Sequence, residues 1–204
     1  MASAAVQIID NVHERVGDDL ARSLRKGSQL SIAAACFSIY AYRELRRQLA
    51  GIDELRFIFT SPTFVTEQTP KEAREFYIPR LSRERGICGT EFEVRLRNEL
   101  TQRAIAKECA DWLRRKATFR SNVTDERMMG FMNVDDATYM PLNGFTTVDL
   151  GCERGNNVYY PVQKTDRREN EGYYLRLFDQ LWADKTRFQD VTEAVIAGLS
   201  AAYR

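Results

Sequence analysis

Histidine is nearly missing from this chain: His13 is the single one among 204 residues. That shortage excludes mechanisms that pair two imidazoles in one lobe, and histidine-based zinc centres with them. Cysteine is scarce too. Cys36, Cys88, Cys109 and Cys152 lie too far apart for paired zinc-ligand spacing, so buried, reduced thiols are expected and no metal site. No apolar run approaches the about 20 residues that a membrane helix requires. Met1 to Val6 has neither the basic start nor the apolar core of a signal peptide, so a cytoplasmic protein is expected. Charge of one sign is also lacking: 30 Lys and Arg face 29 Asp and Glu, a formal net charge of +1. Any hold on nucleic acid must therefore come from local clustering. No GxxxxGK[ST] run occurs and no Gly-x-Gly-x-x-Gly follows the first strand, so the chain has no nucleotide-driven motor of its own and no cofactor is expected.

What is present is an ordinary globular composition, 44% hydrophobic and 29% charged, at a length that suits one α/β domain over residues 1–204. Val6 to Asp10 reads as a short strand. Val16, Leu20 and Leu24 mark a helix that stops at Gly27. Gln29 to Phe37 is a nearly continuous apolar run that suits a strand covered on both faces. A helix carrying Ile39, Tyr42, Leu45 and Leu49 follows, and then a strand from Glu54 to Thr60. This β-α-β-α-β order predicts a largely parallel sheet with right-handed crossovers. Residues 61–89 turn to Pro, Thr, Glu and Arg, an excursion with a short helix from Pro70 to Tyr77.

A long helix is predicted from Thr90, with Glu93 in capping-box spacing, to about Lys116. At about 100° per residue, Val94, Ile105, Cys109 and Trp112 share one side, while Arg103, Lys107 and Arg114 line up on the other. That basic stripe is either a solvated face or a track for phosphates that reads no bases. Arg83, Arg85, Arg167 and Arg168 are further loop candidates for the same role. Strands are expected at Thr118 to Val123, Arg127 to Val134, Ala137 to Met140 and Asn157 to Gln163. Helices are expected from Gly172 to Trp182 and from an Asp190 cap to the end of the chain, the latter closing residues 185–204. A chain ending on a helix with no tail is expected to be one piece of a longer protein. Adjacent carboxylates at Asp135 and Asp136, with Asp149 and Lys164, leave a magnesium-dependent nuclease open as an alternative. The clustered aromatics Tyr159, Tyr160, Tyr173, Tyr174, Phe178 and Trp182 are expected in packing rather than in base stacking.

Two stretches carry a family resemblance. MMGFMNVDD, Met128 to Asp136, and GFTTVDLG, Gly144 to Gly151, resemble the second half of a phospholipase-D-like domain. In that family a strand bearing His-x-Lys-(x)4-Asp precedes a Gly-Ser-Ser-Asn-Phe-Thr-like turn and an Asn-Asn-Glu element. Laid on the pattern, the histidine falls on Met129, the lysine on Phe131 and the aspartate on Asp136. The turn reads Asn143-Gly144-Phe145-Thr146 and the last element Gly155-Asn156-Asn157-Val158. The family attacks phosphorus with one imidazole, protonates the leaving oxygen with another and holds the phosphate with lysine. A thioether and a phenyl ring can do none of this.

The run IAAACFSIYAYRELRRQLAGIDELRFIFTS is similar to the opening of such domains. The combination of LTQRAIAKECADWLRRKATFRSN, GFTTVDLG and FDQLWADKTRFQDVTEAV resembles the subgroup at the amino terminus of bacterial superfamily-two helicases and type III restriction-like subunits. The resemblance implies an α/β lobe with a mostly parallel mixed sheet flanked by helices on both faces, catalytically vacant and followed by a helicase region. Taken with the basic stripe, it favours weak, non-specific DNA binding, expected through Arg103, Lys107 and Arg114. Finally it implies a homodimer through Met129, Phe131, Asn143, Gly144, Phe145 and Thr146.

Overall fold

A computed structural model of the chain describes residues 6–61 and 99–202. Among the described residues, eight strands join one sheet in the order β1-β7-β6-β5-β2-β3-β4-β8. In chain order the elements are β1 (Gln7–Ile9), α1 (Val16–Ser23), β2 (Gln29–Ala34), α2 (Ile39–Leu49), β3 (Glu54–Phe59), α3 (Glu99–Lys116), β4 (Ala117–Asn122), β5 (Phe131–Val134), β6 (Ala137–Met140), β7 (Val162–Thr165), α4 (Tyr173–Ala183), β8 (Phe188–Asp190) and α5 (Thr192–Ala202). The short helix at Pro70 to Tyr77, the capping box at Thr90, and Val94, Arg83, Arg85 and Cys88 fall outside the described residues.

The α/β class and the mixed sheet stand, but parallel pairing is confined to β2-β3-β4; the other five of the seven pairings are antiparallel. Connection length explains the difference. Only Asp135 and Asp136 separate β5 from β6, and a two-residue link forces a hairpin, whereas a parallel pair needs a crossover. The hairpin and β7 stand between β1 and β2, so β1 ends at the sheet edge, antiparallel to β7.

Strand alternation sends two sets of side chains to two faces. Leu30, Ile32, Leu55, Phe57, Phe119, Met132 and Tyr139 join the larger core under α1, α2, α3 and α5. Ala33, Ile58 and Phe131 meet Phe178 of α4 on the opposite face. Such double coverage is what the apolar run of β2 predicts. On α3, Ile105, Cys109 and Trp112 are buried, and the Trp112 indole N–H donates to the Leu49 carbonyl at 2.9 Å. α5 opens as its sequence indicates, with the Thr192 N–H donating to the Asp190 carboxylate at 2.9 Å.

Candidate functional site

The segment that carries the family resemblance is stitched to the exit of β2. Ala35 N–H donates to the Asn143 carbonyl at 2.8 Å, Phe145 N–H to Cys36 at 2.9 Å, and Ser38 N–H to Phe145 at 2.9 Å. The Phe37 and Phe145 rings stack at 5.6 Å. Beneath this turn lies Asp149, buried, whose carboxylate accepts from the Thr146 hydroxyl at 2.6 Å and the Tyr160 hydroxyl at 2.6 Å. Tyr160 in turn accepts from Asn143 N–H at 3.0 Å. Burial pushes the Asp149 carboxyl above the usual carboxylate range, against the pull of the Thr146 and Tyr160 hydroxyls. Thr146 donates from within the turn and Tyr160 from the segment that follows it, so Asp149 ties the two together and its work there is structural.

The motif strand meets this turn at Gly130, whose carbonyl accepts from Leu142 N–H at 3.0 Å. Met129 stands in solvent, 62% exposed, whereas Phe131 is 3% exposed and packed under α4. Asp136 lies at the far end of β5, in the hairpin turn. The three matched positions therefore do not line one pocket. Neither Met129 nor Phe131 can shuttle a proton or neutralise a phosphate, and His13 does not substitute for them. His13 is 88% exposed beside α1 and its ring Nδ1 lies 2.6 Å from the Asp10 carboxylate. That hydrogen bond, with the N–H groups of Val12 and His13, holds Asp10 well below its ordinary value.

Two expectations are corrected here. The magnesium alternative needs Asp135, Asp136 and Asp149 to converge with Lys164. Asp135 instead accepts from the Ser28 hydroxyl at 2.8 Å and Gln29 N–H at 2.9 Å, at the start of β2. Asp149 sits beyond the other end of that strand, and Lys164 is bound elsewhere. Among the described residues no cluster of three metal-ligating side chains occurs. The second correction concerns the dimer surface: Phe131, Gly144 and Phe145 are buried within the subunit, which leaves Met129, Asn143 and Thr146 with surface to offer.

The basic stripe is placed as expected, with Arg103, Lys107 and Arg114 all exposed along α3. Arg114 pairs with Asp111 at 2.9 Å, and the neighbouring Glu108 pairs with Arg46 of α2 at 3.3 Å. Lys116 in the last turn donates to the Ile52 carbonyl at 2.8 Å, which ties the end of α3 to the segment before β3.

A buried charge cluster escaped the sequence reading. Asp19 of α1 accepts from the Tyr139 hydroxyl at 2.5 Å and from Lys164 Nζ at 2.8 Å, and Ser23 completes the group, 3.2 Å from the same lysine. Tyr139 and Lys164 each lie more than 100 positions from Asp19, and nothing local in the sequence marks the pairing. Burial opposes the charge on Asp19, but hydrogen bonds from Lys164 and Tyr139 win and hold its carboxyl below the ordinary value. A depressed folded value contributes stability above the unfolded pKa of about 4, lost as pH falls through the folded value. Asp19→Asn is expected to lower stability at pH 7 by about 2 kcal/mol, in the range for hydrogen bonds to a charged group. It should also flatten the acid limb of a stability-against-pH curve. Urea melts between pH 7 and pH 3 check both, and an equally steep limb in the variant would clear Asp19 of the effect.

No protein-family model matches the chain, and no curated protein matches it. Among solved structures, the chain is similar to TrmBL2, described as an archaeal chromatin protein with a novel mode of DNA binding. The identity is 13% and the TM-score 0.39, over 88% of this chain and 52% of that one. The chain thus spans about half the length of that neighbour. Likeness at this level carries no functional argument.

Proposed function

We propose that this chain is a phospholipase-D-like lobe that has lost its chemistry and serves as a non-catalytic, nucleic-acid-binding module, the amino-terminal part of a bacterial helicase or restriction-type protein. The observation that carries the reading is the exposed line of Arg103, Lys107 and Arg114 on α3, set beside motif positions that hold a thioether and a buried phenyl ring. Aligned cations without base-reading groups fit phosphate contact and not sequence recognition. The family resemblance supplies the helicase or restriction setting. Self-association is the second reading, favoured by Met129 standing exposed next to the motif turn.

One experiment tests the main reading. Single-stranded and duplex DNA incubated with the protein, in EDTA or in magnesium, should stay intact while binding in a salt-sensitive way. Changing Arg103, Lys107 and Arg114 to glutamate should flatten the log-log salt slope on duplex by roughly 3 units, at about 0.9 per lost phosphate contact. An unchanged slope assigns the stripe to solvent. Cleavage abolished by His13→Ala would overturn the loss of chemistry.

A further inference from the structure

A second group of cations lies on the opposite face of the sheet, where β7 turns into α4. Asp166 opens that turn, its carboxylate accepting the N–H groups of Arg168 at 2.8 Å and Glu169 at 2.9 Å. The turn closes with Gly172 N–H donating to the Arg167 carbonyl at 2.9 Å. Glu171 and Gly172 both take positive φ, 54° and 67°, a conformation that is costly for glutamate and that brings the flanking arginines together. A Cβ on Gly172 would stand 3.2 Å from Arg176 Nη1 and 3.7 Å from Arg167 Nε. The two guanidinium groups therefore border one small volume. Arg176 is steadied by a bond from its Nη1 to the Glu171 carbonyl at 2.6 Å. Among the described residues none of Arg167, Arg168 and Arg176 forms an ion pair with a carboxylate.

Tyr173 follows Gly172 directly and opens α4, 52% exposed. Its ring is held edge-on by Tyr174 at 5.1 Å, and Tyr174 is itself anchored on Phe131 at 5.6 Å. Arg176 lies one turn further along the helix on the same side as Tyr173. Two fork-shaped cations beside a fixed, exposed aromatic ring match the alternation of phosphate and base along a strand. A duplex keeps its bases stacked and offers nothing to the ring.

We infer that Arg167, Arg176 and Tyr173 form a contact point for single-stranded nucleic acid, the arginines taking a phosphate and the tyrosine stacking an unpaired base. The inference rests on the nucleic-acid reading above but uses a different face from α3. Its test is fluorescence anisotropy of the full chain with labelled oligothymidylate of about 12 nucleotides, within single-strand site sizes, and with a duplex for comparison. Tyr173→Ala should weaken single-strand binding roughly 5- to 150-fold, the range for one lost stacking contact, while Tyr173→Phe keeps it and duplex affinity hardly moves. Arg167→Gln with Arg176→Gln should weaken single-strand binding and reduce its salt slope.

Equal loss on duplex and single strand in Tyr173→Ala, or no loss in either set of variants, overturns the inference. If the α3 glutamate variant alone loses binding, the contact point falls and the proposed function stands. If only the α4 variants lose it, the inference stands and the α3 stripe falls. A wild type that binds neither oligomer refutes both.

Discussion

Gly130→Ala is expected to leave little folded protein. A Cβ at this position would lie 1.7 Å from the Leu142 carbonyl oxygen and 2.9 Å from that of Ala33. Both obstacles are backbone, so neither can swing aside as a side chain would. β5 enters the sheet here, between the end of β2 and the residue after the cis Met140–Pro141 bond. Accommodation would have to part β5 from β2 or from the Leu142 segment. Overpacking costs about 1–3 kcal/mol even where side chains can adjust; against backbone the cost should exceed that, a large share of the about 5–15 kcal/mol that holds a domain together. For a chain of this size each kcal/mol moves the melting temperature by about 2–4 °C, so a fall of more than about 10 °C, or insoluble expression, is the expected readout. A variant melting within a few degrees of the wild type would show that the strand and Leu142 are free to separate. In the family pattern Gly130 is the unspecified residue between histidine and lysine; in this chain packing makes it the most restricted of the three.

How far the sequence disclosed these features depends on how local each one is. β2, α2 and β3 were legible because an unbroken apolar run and a clean helical period report burial directly. The antiparallel half was legible in principle, since two polar residues between two short strands leave no other connection, but the preceding β-α-β order drew the reading towards a parallel sheet. β7 was misplaced: the apolar letters of Val158 and Tyr159 suggested a strand from Asn157, yet both side chains stand in solvent and pairing begins at Val162. Apolar residues need a covering element, and none lies over them among the described residues. The three-residue β8 carries too little pattern to be seen at all. At the candidate site the failure has the same origin. Asp149 is fixed by Tyr160, and Asn11 donates to the Asp149 and Tyr160 carbonyls at 3.4 and 3.2 Å; that closure is created by the fold and has no spacing signature. Arg167 and Arg176 could be named as cations from the sequence, but only the left-handed turn at Glu171 and Gly172 makes them neighbours.

Phe131→Glu is expected to unfold the subunit, where a motif-centred dimer would have predicted only dissociation of an intact pair. Phe131 is 3% exposed, with its ring 5.6 Å from Tyr174 and 6.1 Å from Phe178, and it shares that cluster with Ala33 and Ile58. Removing a buried phenyl ring costs about 3–5 kcal/mol, and a carboxylate left in the same place adds a desolvation penalty that no described cation offsets. Arg56, whose guanidinium lies over the Phe178 ring, is already engaged by Asp179 at 2.9 Å. Met129→Glu places the same charge two residues earlier, on a side chain already in water, and should change stability by no more than about 0.5 kcal/mol. The pair of variants therefore separates folding from association. If two copies meet at the rim formed by Met129, Asn143 and Thr146, Met129→Glu should sediment as a monomer at protein concentrations where the wild type is a dimer, with an unchanged melting temperature. Phe131→Glu should show no cooperative transition at any concentration. A Phe131→Glu protein that melts like the wild type and sediments as a folded monomer would place this ring on a surface between subunits, and would refute the packing of α4 against β5.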